Sequence, residues 1–156
     1  MISKLLNFLS YENIYLLANW GVIPFWLLLI TAPRNIITNI FVHSIVPSIF
    51  LSAAYVLIAY NIFLNDNILD AFELYKGLEG LYTMFSNESF LLIFWLHFLA
   101  ISLFIGAWIA RDSEKYAIPK FFLIISLILT YFTGPIGFIL YWLVRIFFAK
   151  KIDLND

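Results

Sequence analysis

Four apolar stretches leave this chain almost nowhere to be in water: Leu16–Thr31, Phe41–Phe63, Phe90–Ala110 and Phe121–Phe148. Hydrocarbon about 30 Å thick is crossed by about 20 residues of helix at 1.5 Å rise each, and every stretch meets or approaches that length. The chain is 63% hydrophobic and 12% charged, so most of its surface must face lipid or other parts of itself. The expectation is an all-α membrane protein. It would be a four-transmembrane-helix bundle with spans near 13–31, 38–64, 89–110 and 119–147, and an interfacial amphipathic helix near 67–86 between spans two and three. The 156 residues then make a single integral membrane domain. The longest polar interval, Asn65–Ser89, is too short to bury a core of its own.

Composition narrows the partners. A net charge of −1 gives no electrostatic footprint for nucleic acid, so the expected partners are membrane lipids, with a homo-oligomer or another membrane protein as the protein partner. The chain has no cysteine, which removes disulfides and thiolate metal sites. Aromatic residues make up 20% of the chain, and part of that excess serves as interfacial anchoring. Met1–Ser10 carries only Lys4 and is followed by no small-residue cleavage site, so the first span is expected to insert and stay. Four spans put both termini on one side of a plasma membrane, or of the inner membrane if the chain is bacterial. The loop cations are nearly balanced on this reading. Arg34, Arg111, Lys115 and Lys120 lie on one side and Lys4, Lys76, Arg145, Lys150 and Lys151 on the other. Cytoplasmic termini are weakly favoured.

Local signals place bends and ends. Pro24 and Pro47 each remove a helix amide, and Pro47 inside span two would free the carbonyl of His43. Ala32-Pro33-Arg34-Asn35 stops the first span. Ile68, Leu69, Phe72, Tyr75, Leu78 and Phe85 recur at helical spacing, with Asp70, Glu73, Lys76 and Glu79 on another face. Ser86-Asn87-Glu88-Ser89 supplies the start of span three and Pro119 that of span four. Gly134-Pro135 interrupts span four, where a kink is expected, with Arg145 reaching the far interface.

Polar residues inside hydrocarbon are where function is sought. They are Asn19, His43, Ser52, Asn61, His97, Ser102, Thr130 and Thr133, with several tyrosines and no charged residue at mid-depth. A proton pump needs a buried carboxylate and a retinal protein a buried lysine, so both readings lose ground. His43 and His97 fall about 15 Å apart along the membrane normal, too far for two axial ligands of one haem. Two histidines without a nearby carboxylate also make a poor metal site. No metal or other cofactor is implied. Asn19 and His97 lie at similar depth, with Tyr55 in the same layer and Trp20, Trp26 and Trp95 around it. Ser102 and Tyr131 complete a candidate ligand-binding set. Two readings stay open: a hydrogen-bonding patch in an aromatic-lined lipophilic pocket, or interhelical bridging by Asn and His.

Several blocks together resemble the abscisic-acid-deficient-four-like family. They are Ala18-Asn19-Trp20-Gly21-Val22-Ile23-Pro24-Phe25-Trp26 with the Ala32-Pro33-Arg34 stop, Trp95-Leu96-His97-Phe98-Leu99-Ala100, Phe104-Ile105-Gly106-Ala107-Trp108-Ile109-Ala110-Arg111-Asp112, and Gly134-Pro135-Ile136-Gly137-Phe138. The resemblance implies a small four-helix membrane protein tied to carotenoid chemistry. The plant members are needed to form neoxanthin from violaxanthin, and the bacterial relatives are mostly without assigned activity. It also implies a carotenoid or similar isoprenoid as ligand and an isomerase-like reaction, with a non-catalytic scaffold of another membrane complex as the alternative. Turning an epoxide into an allenic alcohol needs an acid and a base, and His97 is the candidate for one role. The chain departs from the family at Ser102, where members usually carry Asp, and at Ala107, where Arg is frequent.

Overall fold

The computed structural model describes residues 10–44, 46–65, 72, 74–150 and 152. They form seven helices: α1 (Tyr11–Thr31), α2 (Ile36–Phe41), α3 (Val46–Asn65), α4 (Leu78–Phe85), α5 (Glu88–Lys115), α6 (Lys120–Thr133) and α7 (Pro135–Ala149). No strand occurs among the described residues. Two of the helices, α1 and α5, are long and apolar enough to cross a membrane. The chain divides into two compact units, Met1–Gly21 with Ser48–Ala100 and Val22–Pro47 with Ile101–Asp156.

Helix ends follow local chemistry. The α1 helix continues through Pro24 and stops at Thr31, where Ala32 precedes a proline and is pushed out of the helical region. Asn35 caps α2, its Oδ1 accepting from the amide of Ile37 at 2.9 Å. The second apolar stretch differs from expectation. The chain leaves the helical path at Val42–Ser44 and resumes as α3 at Val46. Pro47 is therefore the second residue of a helix, where a missing amide costs nothing, and His43 lies in a loop. The helix expected over 67–86 is also shorter. It begins at Leu78, because Gly77 holds a φ of 121° that side-chain-bearing residues avoid. Residues 67–71 and 73 of that expectation lie outside the described residues. Asn87 starts α5, its Oδ1 accepting from the amide of Ser89 at 3.0 Å and from its hydroxyl at 2.6 Å. That helix runs on to Lys115, past the expected end at 110.

The largest difference is in the last apolar stretch. It is a hairpin, not one kinked helix. Gly134 takes φ 63° and ψ −85° between α6 and α7, and the two helices pack against each other in antiparallel fashion. The rings of Phe122 and Phe148 lie 6.1 Å apart, where one continuous helix would separate them by about 39 Å. The close approach needs Gly137. A Cβ there would fall 2.2 Å from the Thr130 amide nitrogen and 2.5 Å from the Ser126 carbonyl.

The hairpin carries Arg145 back to the end of α5 and not to a far interface. It is 1% exposed, and its Nε donates to Asp112 Oδ2 at 2.8 Å. The Tyr141 hydroxyl donates to the same oxygen at 2.5 Å. The guanidinium lies 4.8 Å from the ring centres of both Tyr116 and Trp142, and its Nη2 donates to the Tyr116 hydroxyl at 3.4 Å. Trp108 closes the cluster, 5.6 Å from the Tyr141 ring and 6.2 Å from the Trp142 ring. A buried charge is sustainable only when paired and hydrogen-bonded in this way.

Asp112→Ala removes the carboxylate that accepts from both Arg145 and Tyr141 and should be clearly destabilising, by about 3 kcal/mol, read as a lowered melting temperature in detergent. The double variant Asp112→Leu/Arg145→Met should regain most of that loss. A single variant as stable as the parent would contradict the role given to the pair. Gly→Ala within a helix ordinarily gains about 1 kcal/mol. Gly137→Ala should instead destabilise, since its methyl meets backbone. Gly106→Ala should be milder, because its methyl meets the Trp26 ring at 2.7 Å, a side chain able to shift.

Candidate functional site

Helical spacing builds one site. On α1, Tyr11, Tyr15 and Asn19 follow each other every four residues and share a face. On α5, Glu88, Leu91, Leu92 and Trp95 share a face in the same way. Both faces lie in the unit formed by Met1–Gly21 and Ser48–Ala100. There they border a cavity of about 910 Å3, lined by Tyr11, Tyr15, Leu91, Leu92 and Trp95 with Ser10, Glu12, Asn61 and Glu88. The Trp95 ring lies 6.3 Å from the Tyr15 ring and stacks on Phe98 at 5.4 Å. Its Nε1 donates to Asn19 Oδ1 at 3.1 Å, while Asn19 Nδ2 donates to the Tyr15 carbonyl at 2.9 Å. Asn19 therefore fixes the tilt of the aromatic wall from one side. Among the described residues the lining carries two carboxylates and no cation. The arrangement can take an apolar group against its aromatic wall and engage a hydroxyl or other polar group at Ser10, Glu12, Asn61 or Glu88.

The residues singled out from the sequence divide into groups. Asn19 and Trp95 meet, as above. His97 does not join them. It is exposed, because two positions on from Trp95 a helix has turned about 200°. The expected Asn19–His97 pair is thus replaced by Asn19–Trp95. Trp20 is 70% exposed and Tyr55 is also exposed. In the other unit Trp26 is buried, its ring edge-on to Tyr131 at 5.3 Å and its indole against Gly106. Ser102 is buried as well. Trp26 and Tyr131 therefore pack on each other in that unit and are not part of the cavity at Trp95. Glu12 and Glu88 escaped sequence reading because each sits at a helix start, where a carboxylate has an ordinary explanation. The signal that could have found them was their place on the same faces as Tyr15 and Trp95.

His43 lies in the unit of Val22–Pro47 and Ile101–Asp156. Burial, then the positive charge of Arg111, holds its imidazole below the ordinary value, against the opposing effects of Glu114 and a hydrogen bond with the Pro33 carbonyl. Its Nδ1 is buried without a hydrogen-bond partner.

A family model described as ABA DEFICIENT 4-like matches residues 13–141. The chain belongs to the ABA DEFICIENT 4-like family. Protein ABA DEFICIENT 4, chloroplastic, of Arabidopsis thaliana is 29% identical over 105 residues, covering 65% of this chain and 48% of that relative. The chain thus spans about half the length of the curated relative it matches. No solved structure matches it. Within the cavity, Tyr15, Asn61, Glu88, Leu91, Leu92 and Trp95 fall inside the matched stretch, whereas Ser10, Tyr11 and Glu12 precede it. Asp112 and Tyr141 are inside and Arg145 beyond it.

The lowered His43 value sets a direction for acid sensitivity. Above about pH 6.5 the imidazole is neutral folded or unfolded, and its contribution is complete. As pH falls below that value, the unfolded chain takes up a proton that the folded chain resists, so stability declines. The melting temperature should therefore fall more between about pH 7 and about pH 5 in the parent than in His43→Gln. Equal falls would remove His43 from the account.

Proposed function

We propose that this chain is a multi-pass integral membrane protein that binds a carotenoid or related isoprenoid ligand in the cavity at Tyr15 and Trp95. The observation that carries this is the cavity itself. At about 910 Å3 it lies within the size range of ligand pockets, about 300–1,000 Å3. Its aromatic and leucine walls suit a ring or polyene end, and its polar groups are few. Family membership supports the same ligand class through the neoxanthin-forming role of the plant members. The spans of this reading are built on α1, α3 and α5, with α4 at the interface, where its outward Leu78 and Tyr82 suit headgroup depth.

The chemistry of an epoxide-to-allene isomerisation needs a proton donor and a proton acceptor. Ser102 is a hydroxyl where the family resemblance implies a carboxylate, and it is buried outside this cavity. Glu12 and Glu88 on the cavity wall are the groups that would exchange protons with a bound ligand, and Asn19 keeps Trp95 in place behind it. The second reading is a non-catalytic scaffold of a membrane complex. The many outward-facing aromatics, Phe104 and Phe132 among them, favour it to the extent that they are covered by protein and not lipid.

The test is purification in mild detergent from a carotenoid-producing host. The parent should carry a co-purifying polyene with visible absorption, and Trp95→Ala and Tyr15→Ala should lose most of it while remaining folded. Unchanged pigment in both variants would move the site elsewhere. A pigment-free protein that brings a stoichiometric protein partner would favour the scaffold.

A further inference from the structure

The hairpin changes how this chain must thread a bilayer, and with it which end faces the cytoplasm. This inference rests on the membrane reading above. In the unit of Met1–Gly21 and Ser48–Ala100, the starts of α1 and α5 and the end of α3 border one cavity, so they share one face. In the unit of Val22–Pro47 and Ile101–Asp156, the chain just after α1 meets the chain just after α5, with Arg34 Nη2 donating to the Ile118 carbonyl at 3.5 Å. Within the first unit α1 and α5 therefore run in the same direction and α3 in the opposite one.

The α6–α7 hairpin starts and ends on that second face. Lys120 opens α6, Lys150 follows α7, and Arg145 is tied to Asp112 at the end of α5. Its arms of 14 and 15 residues reach about 21–22 Å, short of the about 30 Å of hydrocarbon. Its tip is nevertheless built for hydrocarbon. No charged residue occurs between Lys120 and Arg145, and Phe132, Ile136 and Ile139 point outward beside the turn. The backbone at the turn is largely satisfied from within, as depth in a membrane demands. The Gly134 amide donates to the Thr130 carbonyl at 2.9 Å and the Phe138 amide to the Gly134 carbonyl at 3.2 Å. Pro135 has no amide to satisfy.

Returning the C-terminal segment to this face redistributes the cations. Among the described residues Arg34, Arg111, Lys115, Lys120, Arg145 and Lys150 now share it, which leaves Lys76 for the other face. The near balance of the four-span reading becomes a strong asymmetry, and cation-rich flanks stay in the cytoplasm. We propose that the loops after α1 and α5 and the C-terminal segment face the cytoplasm, that the start of α1 faces outward, and that the α6–α7 hairpin enters the bilayer from the cytoplasmic side and returns without crossing it.

The chain lacks cysteine, so single thiols report cleanly. Glu79→Cys, Asn39→Cys, Ile152→Cys and Thr133→Cys, all at exposed positions, are each expressed in bacterial cells and treated with a membrane-impermeant maleimide before and after permeabilisation. Glu79→Cys should label in intact cells. Asn39→Cys and Ile152→Cys should label only after permeabilisation, and Thr133→Cys in neither condition. A phosphatase active only outside the cytoplasm, fused after Asp156 in the unsubstituted chain, should stay inactive, which tests the C-terminal side without any substitution. Labelling of Ile152→Cys together with Glu79→Cys, or an active fusion, overturns the hairpin's return. Labelling of Thr133→Cys in intact cells shows a full crossing and overturns re-entry. Labelling of Asn39→Cys but not Glu79→Cys in intact cells reverses the orientation and overturns it. Recovery of the chain in the soluble fraction instead removes the membrane reading itself.

Discussion

The pairing of Asp112 with Arg145 is the contact on which the second unit depends. A guanidinium that is 1% exposed cannot exist there without an anion, and the end of α5 supplies one in Asp112. Everything between follows from bringing those two residues together. The chain must reverse between them, the reversal falls at Gly134 with its positive φ, and the returning helix can lie close only because Gly137 has no side chain. Tyr141 and Tyr116 then spend their hydroxyls on the ion pair, and Trp108 and Trp142 cover it. The same cluster would be costly as four separate polar groups in an apolar setting. Joined, they specify one register of the hairpin against α5.

The first unit is organised by a weaker bond of the same kind. Asn19 uses both ends of its amide, one for Trp95 and one for the backbone of its own helix. A neutral bond of this sort is worth about 1 kcal/mol, too little to hold helices together but enough to select a side-chain orientation. Its effect is to present the face of Trp95 beside Tyr15 and so give the cavity a firm aromatic side. The contrast between the units is one of charge. One buries the guanidinium of an ion pair, and the other leaves two carboxylates bordering a cavity.

The helical class, the helix starts at Glu88 and Lys120 and the stop after Thr31 were legible because each rests on local chemistry: apolar length, a capping Asn87, a proline after Ala32. The family was legible from short ordered blocks. The hairpin was not. Gly134-Pro135 reads equally as a kink or a reversal, and the choice is made by Arg145 finding Asp112, 33 positions away. The aromatic layer was half legible. Asn19 and Trp95 were both named, but depth along the membrane normal says nothing about azimuth, and azimuth turns His97 outward. The break at Val42–Ser44 was hidden because an uninterrupted apolar run does not show where a helix must end.

The two units are interleaved along the chain, and this constrains what variation the protein can tolerate. Tyr11–Gly21 and Val22–Thr31 are consecutive parts of one helix yet belong to different units, and the same is true of α5 on either side of Ala100. Neither unit is one continuous segment of the chain. Neither could be exchanged as one uninterrupted stretch joined at a linker, and a truncation into α1 removes material from the first unit through a helix that also serves the second.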